Sequence, residues 1–270
     1  MRGRRGRVLW LGALAGDDYL LITPDPWLGF SKLQSSSLFV PGSMMPASHF
    51  AEIRDALESE GETLYEEMAS ALIHLVGAVL AAAALALLVV LASFTDSAIA
   101  VVTCAIYGST VFLTFLFSAM YHGVWHRPAK AVFLTLDHCS IFVLIAGTYT
   151  PVVLLALPPT LGWTLFGVLW GLAVLGIVAR LWIGHLHWVM IPIFVAMGWL
   201  GVFWGDTLFT HLGNGGGWLL LAGGFAYTGG LIFFLWRRLP FNHALWHLCV
   251  LGGAVCHFLL VAVYALPVVQ

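Results

Sequence analysis

The run ALIHLVGAVLAAAALALLVVLA, Ala71–Ala92, decides the fold. Its 22 residues include no Asp, Glu, Lys or Arg. A helix crossing the hydrocarbon core of a bilayer needs about 20 mostly apolar residues. Comparable runs follow at Ala98–His122, Val132–Leu157, Leu161–Arg180, Trp188–Gly205, Trp218–Trp236 and His243–Leu266. The breaks between them carry turn chemistry: Ser93-Phe94-Thr95-Asp96-Ser97, Pro158-Pro159, the glycine run Gly213 to Gly217, and Leu239-Pro240. Runs this long and unbroken predict helices, because barrel strands are short and alternate in polarity.

The whole chain agrees with that reading. Of its 270 residues, 61% are hydrophobic and 9% charged, against about 25% charged in soluble domains. The expectation is an all-α membrane protein, a seven-transmembrane helix bundle lying multi-pass in the cell membrane, with membrane lipids as its partners. A net charge of −2 gives no support to a nucleic-acid partner. Cys104, Cys139, Cys249 and Cys256 all fall inside apolar runs without metal-ribbon or CxxC spacing, so they read as packing residues.

Charge sets the orientation. Six of the eleven Lys and Arg (Arg2, Arg4, Arg5, Arg7, Lys32, Arg54) precede the first run. Arg127 and Lys130 lie between runs two and three, Arg180 ends run four, and Arg237 and Arg238 lie between runs six and seven. All eleven fall on one side, which the positive-inside rule makes cytoplasmic. The N-terminus is therefore expected inside and the C-terminus outside, opposite to a G-protein-coupled receptor. Arg4-Arg5 followed by Val8–Ala15 resembles a signal peptide, but its apolar core is short and its cleavage would put every later basic loop outside. Residues 1–46 read as a disordered tail, rich in Pro, Ser and Gly over residues 17–48, with Met44 and Met45 as alternative starts. Residues 47–68 are acidic and read as a short cytoplasmic or interfacial helix, and 69–270 as the seven-span domain.

Topology then places the polar residues. Ser118 and His122 come at the cytoplasmic end of run two. Asp137 and His138 come just inside run three, and His243 and His247 open run seven. Glu67, Ser70 and His74 share one face of the first helix by their i, i+3, i+7 spacing. Ionisable groups are costly inside a membrane and mark functional sites. Three imidazoles, His122, His243 and His247, suit a zinc ion that keeps a fourth position for water. Asp137 would orient that water or take its proton, since zinc lowers the water pKa to about 7. Ser118 would donate a hydrogen bond to a substrate oxygen or to the water.

Each residue also admits a structural reading. Histidines cap helix starts and sit at interfaces. Ser118 could bond the carbonyl four residues back, and Asp137 could be an acid favoured at a helix start by the macrodipole. His257 reads as a packed, hydrogen-bonded histidine, His126 as solvated, and His185, His187 and His211 as loop or interface residues. Most Trp and Phe read as belt or lipid-facing residues. Pro151, in Gly147-Thr148-Tyr149-Thr150-Pro151, would bend the third helix and shape either a cavity or the packing.

A family resemblance runs from about Glu66 to Tyr264. It is carried by Glu66-Glu67 with His74 and Gly77, by Tyr107-Gly108, by Ser118-Ala119-Met120-Tyr121-His122 and by Asp137-His138. It continues through Ile145-Ala146-Gly147-Thr148-Tyr149-Thr150-Pro151, Met197-Gly198-Trp199, Gly223-Gly224 with Tyr227 and Gly230, and His243-Ala244-Leu245-Trp246-His247. In order and spacing the chain resembles the hemolysin III proteins, bacterial members of the progestin and adipoQ receptor family. Ser70 departs from the pattern, where the family usually has Asn. The resemblance implies seven helices with the N-terminus inside. It also implies zinc held by His122, His243 and His247, with Asp137 close to the zinc-bound water. The adiponectin receptors and alkaline ceramidases of the wider superfamily are associated with hydrolysis of lipid amides such as ceramide.

Three functions compete. The first is a zinc-dependent hydrolase of lipid amide or ester bonds. The second is a non-enzymatic lipid-sensing receptor or regulator with structural zinc, which a fourth protein ligand such as Asp137 or His138 would favour. The third is a cytolytic pore, as the hemolysin name suggests. Against the pore, no run carries a polar stripe along its whole length.

Overall fold

A computed structural model describes residues 64–124, 126–183 and 187–269. The expected tail over 1–46, residues 47–63 of the expected interfacial helix, and His185 lie outside the described residues. The described chain is helical from end to end: α1 (Leu64–Ser93), α2 (Ala98–Gly123), α3 (Arg127–Ala156), α4 (Pro159–Ile183), α5 (His187–Gly198), α6 (Gly205–Leu235) and α7 (Asn242–Leu260). A 3-10 turn, Leu200–Trp204, joins α5 to α6, and α7 runs on into a π turn, Val261–Ala265. Six stretches among the described residues are long and apolar enough to cross a membrane.

Local chemistry sets the ends of these helices. Ser97 starts α2 by accepting from the Ala100 N–H at 3.4 Å, which satisfies one of the orphan donors of a first turn. Prolines open α3 and α4, where a missing N–H costs nothing. At the α6–α7 turn the Asn242 side-chain amide donates to the carbonyls of Phe233 and Phe234 at 3.3 and 3.2 Å. That leaves Phe241 in the left-handed region (φ 57). Its N–H donates to Glu66 Oε1 at 2.8 Å, tying the start of α1 to the start of α7.

Helix α3 is the most buried of the spans, with α2 and α4 against it, while α1 packs on α2 and α7, and α6 on α7. The outer faces stay apolar. Leu72, Leu75, Val79, Trp182 and Phe203 are all exposed, as side chains facing lipid are. Tyr107, Phe115, Tyr121 and Phe142 fill the interior.

The structure sharpens the helix boundaries. Residues Leu64–Met68 are helical and run without a break into the first span as the start of α1. Helix α3 starts at Arg127, so Lys130 lies within a helix, not in a loop. The glycine run breaks the helix at a single residue: Gly213 leaves helical geometry (φ 67, ψ 172), so α6 is two helical stretches meeting at a kink, and the second runs on through Gly217. The glycines provide close approach, since a Cβ at Gly216 would crowd Tyr264 and one at Gly217 would meet Phe209. Pro151 lies inside an unbroken α3, and its neighbour Tyr149 shapes the interior. The Tyr149 hydroxyl donates to the Gly198 carbonyl at 2.6 Å and accepts from the Gly201 N–H at 2.9 Å, pinning the α5–α6 corner.

Gly223 gives a stability prediction. A Cβ there would fall on the His257 imidazole, whose Nε2 lies 3.2 Å from the Leu220 carbonyl. Gly223→Ala should lower stability by about 1–3 kcal/mol through overpacking, measured as a fall in melting temperature of the detergent-solubilised protein.

Candidate metal centre

One end of the bundle gathers the start of α1, the end of α2, and the starts of α3 and α7. His122 closes α2, and His243 and His247 occupy the first two turns of α7, four residues apart and so on one face. All three are buried. Their candidate ligand nitrogens lie within 4.8 Å of one another, a group that could hold a metal ion. His122 Nε2 and His247 Nε2 are 3.1 Å apart. Two nitrogens on one tetrahedral zinc, with Zn–N of about 2.1 Å, stand about 3.4 Å apart, so these residues fit such an ion. None of the three caps a helix: Phe241 holds the cap position of α7, without a side-chain bond.

His122 is oriented from behind. Its Nδ1 lies 3.4 Å from Glu67 Oε2, and the same oxygen accepts from Lys130 Nζ at 2.8 Å. Lys130 also donates to the Tyr121 carbonyl at 3.0 Å. A carboxylate on Nδ1 fixes the proton there and turns the Nε2 lone pair toward His247, as partners of metal-binding histidines do. Glu67→Gln should therefore destabilise the fold by about 3 kcal/mol. That is the low end for breaking a buried pair, because the Glu67 and Lys130 side chains keep 15% and 11% exposure. A denaturation midpoint comparison checks this, and Lys130→Met added to Glu67→Gln should recover part of the loss.

An apolar cavity of about 150 Å³ opens beside the histidines. His74, Ser118, Asp137 and His247 line its polar end, and Ile145, Tyr149, Trp199 and Leu231 its apolar body. Asp137 also borders a smaller cavity of about 60 Å³ with His138, His243 and Trp246. Ser118, Asp137, His243 and His247 therefore border these two cavities, and His122 joins them through the histidine group. The helix-start reading of Asp137 is corrected. It lies ten residues past Arg127, the first of α3, about 15 Å along the axis, and the macrodipole acts only within the first turn. The back-bonding reading of Ser118 is corrected too, since its Oγ has no hydrogen-bond partner among the described residues.

The family model described as haemolysin-III related matches residues 62–258. The chain belongs to the haemolysin-III family. It is 44% identical over 203 residues to "Hemolysin-3" of Bacillus cereus, covering 75% of this chain and 93% of that protein. It is 38% identical over 208 residues to "Hemolysin-3 homolog" of Bacillus subtilis (strain 168), covering 76% and 97%. Membership agrees with the residues that carried the resemblance and with a multi-pass membrane protein.

Some neighbours of the histidine group in this haemolysin-III chain are not legible in the sequence. Lys130 and Glu67 were placed in different surroundings. Trp246 packs on both His243 and His247, with ring centroids 5.4 and 4.9 Å away. The only sequence signal for the Glu67–Lys130 pair was a charge within one turn of an apolar run. His257 is buried and hydrogen-bonded, as expected, and His126 and His211 are exposed.

Proposed function

We propose that this haemolysin-III protein is a zinc-dependent hydrolase of lipid amide or ester bonds, built in a seven-span bundle with a cytoplasmic N-terminus. One observation carries the reading: three buried imidazole nitrogens converge where an apolar cavity meets Ser118 and Asp137. Three neutral imidazoles suit zinc in both softness and number. The stretch Val189–Leu235 supports the span count. Its 47 residues would measure about 70 Å as a helix, more than two hydrocarbon cores of about 30 Å, and Gly213 offers the bend between two crossings. The confinement of Lys and Arg to one side supports the orientation.

In this reading His122, His243 and His247 hold the ion, and Glu67 keeps His122 in the ligating tautomer. Zinc, when bound, supplies a Lewis acid that polarises an acyl carbonyl and lets water act as a nucleophile near neutral pH. The apolar cavity wall takes the acyl chain and excludes bulk water. The Asp137 carboxylate accepts a proton from the water that adds to the acyl carbon. It returns that proton to the leaving nitrogen or oxygen as the acyl bond breaks. Ser118 Oγ donates to a substrate oxygen.

The test is release of fatty acid from a lipid amide by the purified full chain in vesicles, with and without a chelator. Chelator-insensitive turnover, or none in zinc-loaded protein, would count against the proposal. Glu67→Gln should lower zinc affinity about 10–100-fold, read by competition with a chromogenic chelator.

A second reading is supported by the 3.1 Å approach of His122 Nε2 to His247 Nε2, a distance that also suits an imidazole–imidazole hydrogen bond. A bundle held that way would act as a lipid-sensing regulator without chemistry.

A further inference from the structure

His74 lies on α1 among the metal-binding candidates, yet it has a different set of surroundings. Its ring is wedged between Phe115 and His247, with centroids 5.1 and 4.0 Å away. Gly77 makes the wedge possible, since a Cβ there would meet the Phe115 ring. The imidazole is 2% exposed, and neither Nδ1 nor Nε2 has a hydrogen-bond partner among the described residues. Leaving a buried polar group unbonded costs about 1–3 kcal/mol, so native proteins seldom do so without a function.

The contrast with neighbouring polar groups is consistent. On α2 the hydroxyls of Thr103, Thr110 and Thr114 each donate to a carbonyl three or four residues back. Ser118, one turn beyond Thr114, has no such bond. Among the histidines, His257 has the Leu220 carbonyl within 3.2 Å and His211 the Thr207 carbonyl within 2.9 Å. His74 has neither kind of partner. Ser70 Oγ on α1 is likewise buried without a partner, and of these three groups His74 and Ser118 line the same cavity. Helical geometry offers hydroxyls a default partner, so an unpartnered hydroxyl and an unpartnered imidazole on one cavity wall mark groups available to something that enters the cavity.

We propose that His74, together with Ser118, binds the acyl carbonyl of the lipid in this cavity, with a neutral imidazole N–H of His74 donating to the carbonyl oxygen. The wedge between Phe115 and His247 holds the ring plane while leaving an edge to the cavity, as a preorganised donor requires. His74 lies outside the three-nitrogen group, so the role proposed for it is toward the lipid. This assignment rests on the hydrolase reading for the chemistry of the ligand, but its test does not depend on turnover.

The probe is N-hexanoyl sphingosine labelled with carbon-13 at its amide carbonyl, bound to the full chain in nanodiscs. Infrared difference spectra should show the labelled band at lower wavenumber than for the probe in an apolar solvent. His74→Phe keeps an aromatic ring in the wedge and should move the band back up. It should also weaken probe binding about 5–10-fold, the range of one neutral hydrogen bond, with metal content unchanged. His74→Gln restores a donor and should recover most of both effects. An unshifted band in the wild-type protein overturns the assignment whatever the variants do. Loss of metal in His74→Phe overturns it as well, by making His74 a ligand. A wild-type protein with a shifted band but no zinc would sink the hydrolase reading and leave the His74 contact standing.

Discussion

Protein carrying both His243→Ala and His247→Ala should purify with no stoichiometric zinc, where the wild type holds about one ion per chain. The two changes remove both ligands supplied by α7 and leave His122 alone, and one imidazole cannot hold zinc through purification. The fold should survive. Alanine favours helix, the α6–α7 turn is fixed by Asn242 and Glu66 rather than by the histidines, and the substitutions remove buried polar groups. Elemental analysis gives the metal content, and thermal unfolding gives an independent readout. Zinc at 100 times its dissociation constant stabilises by about 2.7 kcal/mol, so added zinc should raise the wild-type melting temperature and leave the double variant unmoved. A wild-type protein free of zinc after purification in metal-replete medium, or a double variant that keeps its zinc, would remove the basis for the hydrolase and favour the hydrogen-bonded pair of His122 and His247.

Much of this architecture was legible in the sequence. Apolar runs announced the spans because a bilayer demands about 20 such residues. Counting Lys and Arg placed the polar residues at one depth before any contact was known, and His122, His243 and His247 do meet. What the sequence hid was of two kinds. The first was partnership. Lys130 reads only as a basic residue between two apolar runs, and the packing of both α1 and α3 against α2 brings it within 2.8 Å of Glu67. The second was the meaning of small residues. A glycine run signals either a break or a close approach, and here it is both: Gly213 makes the kink, while Tyr264, far along the chain, packs on Gly215 and Gly216. The orphan state of His74 belongs to the first kind, because absence of a partner is a property of the packed bundle.

Asp137→Asn should lower lipid turnover about 100- to 10,000-fold, the range for loss of a positioned acid–base group, and leave zinc content unchanged. The substitution preserves shape and hydrogen-bonding capacity at a position bordering both cavities, but an amide cannot accept the proton that the incoming water must lose. The pairing of readouts separates the competing functions. Turnover lost with zinc retained assigns Asp137 to proton transfer. Turnover and zinc lost together make Asp137 a fourth ligand, closing the site and favouring a structural ion in a regulator. Unchanged turnover with zinc in place would remove Asp137 from the chemistry, leaving Ser118 as the remaining polar candidate outside the imidazole cluster and His74. Because Asp137 sits almost three turns inside α3 rather than at its start, its ionisation gives that helix no dipole stabilisation of consequence. Similar melting temperatures for wild type and Asp137→Asn would therefore confirm that any lost turnover reflects chemistry rather than unfolding.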